Sequence, residues 1–236
     1  SGIALTTLGF GQGNYNDHLM EQLADAGNGN HAYIDSLNEA RKVLVDELTA
    51  TLMMIARDVK IQIEFNPALV AEYRLIGYEN RMLEREDFNN DAVDAGDIGA
   101  GHTVTALYEI ALVGSGGERV DSLRYQDEEQ TARAENPSGE IAFLRLRFKA
   151  PDANESQLIE QPIALETNLE MTPRLAWAAS VAAFGQHLSG SVYLNDFGLS
   201  DIQALAQPAR GSDPFGYRAE FIQLLRLAES QGLAQN

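Results

Sequence analysis

Near Arg57 the chain changes its period, and that change bounds what it can fold into. Before it, Leu37, Ala40, Leu44, Leu48, Leu52 and Ile55 recur at helical spacing and line one face of a long helix. After it, Val59, Ile61, Ile63 and Phe65 alternate with Lys60, Gln62 and Glu64, the two-residue repeat of a half-buried antiparallel strand. A fold of the α+β class is therefore expected. It comprises a partial α/β segment over residues 1–57, then an antiparallel, sandwich-like β domain with carboxy-terminal helices over residues 58–236.

Within the first segment, Ile3 to Phe10 reads as a strand apolar on both faces, followed by the loop Gly11-Gln12-Gly13-Asn14. Leu19, Met20, Leu23 and Ala24 give helical spacing, and Gly27 is placed to end that helix. His31 to Ile34 is a second short strand. Ser36 with Glu39 three residues on makes a capping box at the start of the long helix. Strand, helix, strand, helix is the order of parallel α/β structure, but the segment is too short for a whole domain of that kind.

Beyond Asn66-Pro67, strands are expected over Val70 to Tyr78, Thr103 to Val113, Ile141 to Lys149 and Leu158 to Glu166. In the third, Ala142, Leu144, Leu146 and Phe148 face one way, and Arg145, Arg147 and Lys149 the other. Gly114 to Glu140, rich in Gly, Asp, Glu and Gln, reads as a long mobile loop. Thr172-Pro173 opens a helix whose Trp177, Val181, Phe184 and Leu188 share a face and which Gly190 closes. Ser200 with Gln203 starts a short helix. Asp213-Pro214 starts the last, which carries Phe221, Leu224, Leu225 and Ala228.

Charge narrows the partners. Seventeen Lys and Arg against 35 Asp and Glu leave a formal net charge of −18. Such a surface repels phosphate backbones and anionic headgroups, so nucleic acid and membrane surface are disfavoured, and cations or basic patches on protein partners are expected. There is no cysteine, which excludes disulfides, thiolate nucleophiles and cysteine–zinc sites. The most apolar run, Leu175 to Phe184, is about half of the ~20 residues a membrane span needs. The opening Ser1-Gly2, followed at once by a strand-like run, reads as the start of a piece of a longer protein.

Candidate sites were weighed one by one. Gly9-Phe10-Gly11-Gln12-Gly13-Asn14 lies between a strand and a helix, where a phosphate loop would sit. However, Asn14 stands where a dinucleotide fingerprint needs glycine, and no lysine precedes Lys42. The run Asp87, Asn89, Asp91, Asp94, Asp97 suggests calcium. Yet an EF-hand starting at Asp87 would have Ala92 in place of its glycine and Ile98 in place of its terminal glutamate. A solvated acidic loop over residues 87–97 is expected, with an irregular weak calcium site as the alternative. His18, His31, His102 and His187 stand apart, and no Gly-x-Ser-x-Gly elbow occurs. Trp177 is core-facing by period. No catalytic, cofactor-binding or metal-ligating residue is assigned, and no cofactor is expected.

The segment Leu5-Thr6-Thr7-Leu8-Gly9-Phe10-Gly11, Asn16-Asp17, Leu23-Ala24-Asp25-Ala26-Gly27-Asn28-Gly29 and His31-Ala32-Tyr33-Ile34 resembles the last third of a von Willebrand factor type A domain. The run Val59 to Pro67, then Tyr73-Arg74-Leu75-Ile76-Gly77-Tyr78-Glu79-Asn80-Arg81 and Gly101 to Ile110, resembles the uncharacterised, YfbK-like carboxy-terminal domain found after such A domains in bacterial envelope proteins. Phe184-Gly185 and Tyr217-Arg218-Ala219-Glu220-Phe221 continue that resemblance. The A-domain family holds its adhesion metal with an Asp-x-Ser-x-Ser motif, which does not occur in this sequence, so no metal-site residue carries over.

The resemblance implies a non-catalytic protein-interaction or assembly module of the cell envelope or periplasm. Self-association through the incomplete parallel sheet is also expected. The competing expectations are the calcium module of residues 87–97 and a hydrolase with dispersed catalytic groups. From the loop 114–140, limited proteolysis is expected to cut first at Arg119, Arg124 or Arg133. First cleavage within Val59 to Phe65 would show that strand and loop had been misassigned.

Overall fold

The computed structural model describes residues 5–11, 13, 15–27, 29–47, 53–77, 84–93, 95–120, 139–165 and 170–232. In chain order the elements are β1 (Thr7–Phe10), α1 (Asp17–Ala26), β2 (His31–Ile34), α2 (Leu37–Arg41), β3 (Met54–Phe65), β4 (Val70–Ile76), β5 (Gly96–Gly99), β6 (Leu107–Leu112), β7 (Glu140–Lys149), β8 (Gln157–Ala164), α3 (Pro173–Leu188), α4 (Leu199–Ala209) and α5 (Tyr217–Ser230). A π-helical turn, Lys42–Asp46, and a 3₁₀ turn, Arg85–Asn89, also occur among the described residues. The structure is mixed α and β in two compact units: residues 1–70, 81–104 and 121–165, and residues 71–80, 105–120 and 166–236. No helix among the described residues is long and apolar enough to cross a membrane.

In the first unit β1 and β2 run parallel, with Thr7 opposite His31 and Phe10 opposite Ile34. Asn16 caps α1 by accepting the Leu19 N–H at 3.1 Å, and Gly27 closes it. Gly29 is required by close approach, because a Cβ there would run into the Leu5 carbonyl. Ser36 accepts the Glu39 N–H at 3.2 Å and starts α2, as its spacing predicts.

The long helix expected through Ile55 does not form. Helix α2 gives way to the π turn, and Ile55 lies in β3; Leu48 and Leu52 fall outside the described residues. The physical reason is the lack of a surface to pack on: Leu37 is 90% exposed and Val45 65%, and a helix draws most of its stability from its buried face. From Met54 the backbone instead joins the ladder to β5 and β7. The division expected between residues 57 and 58 falls inside β3, at a bulge. Asp58 there takes φ +51°, and the register shifts between Arg57 and Lys60.

Strands β5, β3, β7 and β8 form one antiparallel sheet in that order. Ile61, Leu146 and Ile159 lie side by side on one face, with Ile63 and Leu144 next to them. Lys60 and Arg147, then Gln62, Arg145 and Glu160, share the other. The alternation therefore divides the faces as expected, but burial reverses: Lys60 is 3% exposed and Ile61 51%. Strand β5, with two glycines in four residues, lies where a loop was expected. On the outer edge, β8 carries Pro162, which donates no ladder hydrogen bond, and the charged Glu160, both of which discourage edge pairing.

The second unit pairs β4 with β6 and packs three helices. The strands thus divide between a four-stranded antiparallel sheet in one unit and a strand pair in the other. The helical core is Ala183, Leu199, Ile202, Ala206, Leu225 and Ala228, with Trp177, Phe184, Leu194 and Phe221 packed against it. On α3 the expected stripe is only half right, since Val181 and Leu188 are exposed. The small side chains Ala176, Ser180 and Ala183 are buried in their place, where small residues let helices approach closely. Thr172 caps α3 by accepting the Leu175 N–H at 3.2 Å. Helix α4 begins at Leu199, its entry fixed by the Gly198 N–H on Asp201 Oδ2 at 2.9 Å, not at Ser200. Helix α5 begins at Tyr217, after Asp213 has accepted the Arg218 and Ala219 N–H groups.

Of the loop 114–140, residues 121–138 lie outside the described residues, Arg124 and Arg133 among them. Arg119 is held: its guanidinium donates to the Tyr193 carbonyl at 2.9 Å and its N–H to Glu72 at 2.9 Å. It is therefore a poor first cleavage point. Gly29→Ala is expected to destabilise the first unit by about 1–3 kcal/mol, as overpacking against backbone does. Gly96, whose Cβ direction is open, should tolerate alanine within about 0.5 kcal/mol. Equilibrium urea melts of the two variants check this.

Candidate functional site

Three polar clusters could carry chemistry. The first joins β1, α1 and β2 around His31. Thr7 Oγ1 donates its one hydrogen to the Met20 carbonyl at 3.0 Å, so at 2.9 Å from His31 Nδ1 it accepts, and Nδ1 carries the hydrogen. On the other side of the ring, Nε2 meets Tyr15 Oη at 3.0 Å and Asp17 Oδ1 at 3.0 Å. Removal from water, then the nearby Asp17 carboxylate and Tyr33, raise the Tyr15 hydroxyl above the ordinary tyrosine range. Hydroxyl, imidazole and carboxylate are thus assembled, and Thr7 is not set up as a nucleophile among them. A nucleophile gives its hydrogen to the imidazole, whereas Thr7 receives one from it.

The glycine loop serves the same cluster. The Tyr15 ring occupies the space a Gly9 side chain would need, and Tyr33 Oη donates to the Gly11 carbonyl. Gly11 and Gly13 take φ of +82° and +123°; Gln12 and Asn14 lie outside the described residues. Gly9 therefore makes room for one of the protein's own rings, while Gly11 and Gly13 meet the need for a left-handed backbone.

The second cluster is the acidic run, and it is not a free loop. Lys60 Nζ donates to the main-chain carbonyls of Asp87 (3.1 Å) and Asn90. Arg147 donates to Asn89 Oδ1 at 3.1 Å and Asp91 Oδ1 at 3.3 Å, while Ser156 Oγ donates to that same Asp91 oxygen. Lys149 bonds Asp58 Oδ2 at 2.6 Å and the Asp91 carbonyl at 3.0 Å. Asp97, in β5, accepts the Asp58 N–H at 3.1 Å; Asp94 lies outside the described residues. The Ser156 hydrogen bond first, then Arg147 and Lys149, hold the Asp91 carboxyl below its usual range against some desolvation. This attachment is therefore present above the ordinary carboxylate range and is lost as pH falls through the lowered value. Of the solvated loop expected over residues 87–97, Asn89 to Ala92 are exposed, yet the segment is also a strap pinned to the sheet, with Phe88 buried beneath it.

The third cluster, in the second unit, places two guanidiniums over one ring. Arg74 Cζ lies 4.0 Å and Arg119 Cζ 4.7 Å from the Tyr193 centroid. Arg74 also bonds Glu109 at 2.7 Å and Gln186 at 2.7 Å, tying β4 and β6 to α3. No sequence spacing announces this group, since its members come from four separate stretches of chain.

The remaining histidines lie elsewhere in the chain. His18 is exposed on α1 beside Gln22, His102 is exposed in a turn, and His187 lies in the last turn of α3. Trp177 stacks edge-on with Phe221 at 5.2 Å and lies under Arg218, as a core residue. Among the described residues, no three histidine, aspartate or glutamate side chains converge as a metal site requires.

By fold this is a mixed α and β protein whose polar clusters are closed by its own side chains. Residues 50–231 match the family described as "Uncharacterized protein YfbK, C-terminal", and the chain belongs to that family. It is 50% identical over 229 residues to "Uncharacterized protein YfbK" of Escherichia coli (strain K12), an alignment covering 97% of this chain and 39% of that protein. The chain thus spans well under half the length of that relative. No solved structure matches it. The resemblance of the region after residue 58 to the YfbK-like carboxy-terminal domain is borne out by these likenesses.

With the main-chain carbonyls of Asp87, Asn90 and Asp91 and one Asp91 carboxylate oxygen already held by lysine, arginine and serine, melts in magnesium, manganese or calcium at about one millimolar should superimpose on a chelator control. An ion at a hundred times its dissociation constant would add about 2.7 kcal/mol, so an ion-selective upward shift would be plain.

Proposed function

We propose that the chain is a non-catalytic protein-interaction or assembly module of a bacterial cell-envelope protein, and that residues 1–57 are the end of a von Willebrand factor type A domain. The observation that carries this reading is apolar surface over the parallel strand pair. Phe10, at the end of β1, is 62% exposed, Leu5 just before it 49% and Leu37 at the start of α2 90%, beside a strand pair of the kind that ordinarily has both faces covered. Parallel pairing of β1 with β2 across α1 is the connection an A domain uses there, and the quoted residues carry the same likeness.

Two further observations favour a binding role over catalysis. Thr7 accepts from His31 instead of being activated by it, and the acidic strap is neutralised from below by lysine and arginine. The net charge of −18 directs the choice of partner toward protein and away from nucleic acid.

The test is association of the chain with itself when no other cover is supplied. Multi-angle light scattering over a concentration series should report dimers or larger species, and the amides of Thr7 to Phe10 should gain exchange protection as association proceeds. A strict monomer with those amides fully protected at every concentration would overturn the reading.

A further inference from the structure

The charged face of the four-stranded sheet has a composition unlike the rest of the chain. Arg57, Lys60, Arg145, Arg147 and Lys149 project from β3 and β7, against Asp58, Glu64 and Glu160. A chain with 17 cations in all has placed five of them on one patch of two strands. The segment that crosses the patch, residues 84–93, has four Asp and Glu against one Arg in its sequence. We infer that residues 84–93 are an intramolecular stand-in for an acidic peptide segment of a partner protein, and that the face of β3 and β7 beneath them is its docking surface.

The chemistry on the face selects a peptide among anions. Lys60 reads the main-chain carbonyls of Asp87 and Asn90, and Lys149 reads that of Asp91. Nucleic acids and lipid headgroups offer no such row of amide oxygens. Arg147 and Ser156 read the side chains between them, Asn89 and Asp91. The surface therefore recognises an extended or turn-like chain with acid or amide groups at alternate positions.

The strap is held by few bonds that a rival could not replace. Its regular structure is one 3₁₀ turn, and β5, which follows, meets β3 at only three positions with a register shift after each of the first two. The sheet under it is paired continuously, from Lys60 with Arg147 through Phe65 with Ala142. Local opening is drawn from such weakly bonded segments, so the strap can lift while the sheet stays folded. Phe88 is its one deep apolar anchor.

This inference rests on the interaction-module reading and names the partner chemistry for one surface. The probe is a fluorescein-labelled synthetic peptide with the sequence of residues 84–99, titrated by anisotropy into the full chain. The doubly substituted chain Asn89→Ala with Asp91→Ala loses the Arg147 and Ser156 attachments of its own strap. It should bind the probe at least about tenfold more tightly than the unsubstituted chain. Adding Arg147→Gln to that background should remove the gain.

Equal affinity of the two chains would overturn the inference, and so would a gain that survives Arg147→Gln. Should the double variant not fold, amide exchange on the unsubstituted chain decides. The amides of Asp87 and Asn90 must exchange well before those of β3 and β7, and exchange only together with the sheet would show that the strap never opens. Such a failure leaves the interaction-module reading intact, because that reading is tested by association at the parallel strand pair.

Discussion

The ammonium group of Lys60 lies at the sheet with 3% of its residue's surface exposed, and it stays there because the strap turns main-chain oxygens toward it. A cation removed from water costs several kcal/mol unless charge or hydrogen bonds replace its hydration. Carbonyls of Asp87 and Asn90 supply that replacement, which fixes the path of residues 84–93 across the sheet. Arg147 and Lys149 extend the same arrangement along β7. Through them the bulge at Asp58, the short strand β5 and the turn at Ser156 are all located. Around Lys60 the polar face of the sheet is consequently the covered one.

That reversal explains which parts of the fold were legible in sequence and which were not. Alternation in Val59 to Phe65 and Ala142 to Lys149 correctly separates the two faces, because a strand's side chains must point to opposite sides. It cannot say which face will be covered. Hydropathy assigns water to Lys60 and the interior to Ile61, whereas the partner of Lys60 is a row of backbone carbonyls with no sequence signature. The local signals at Asn16, Gly27, Ser36 and Thr172 are legible because each is settled within a few residues by one hydrogen bond. The helix expected through Ile55 fails for the opposite reason: its stripe needs a distant surface, and the ladder to β5 and β7 competes for the same residues.

The candidate sites follow the same division. Rejection of an EF-hand rests on two misplaced residues and needs nothing distant. Assembly of Thr7, Tyr15, Asp17 and His31 requires β1, α1 and β2 to close on one another, so the lone-histidine expectation could not foresee it. The pairing of Arg74 with Arg119 over Tyr193 is further still from sequence, since each residue comes from a different element. A hydrogen count then decides what Thr7 can do in that group, which no spacing could reveal: its one hydroxyl hydrogen is already committed to Met20.

The strap and a calcium loop solve the same electrostatic problem, and comparing them shows why acidity alone is a poor guide to metal binding. Both gather carboxylates and main-chain oxygens around a cation. A calcium loop leaves that position to an ion from solution, and its affinity depends on glycine and glutamate at set places to shape the cage. Here the cations are covalently part of the sheet, so their effective concentration at the loop is set by the fold and not by the medium. An incoming divalent ion would have to displace Lys60 and Lys149 from carbonyls they already hold, leaving the buried Lys60 ammonium without them. An acidic peptide faces no such penalty. It brings the same oxygens the strap brings and leaves every cation paired, so exchange of one strap for another is the reaction this face favours.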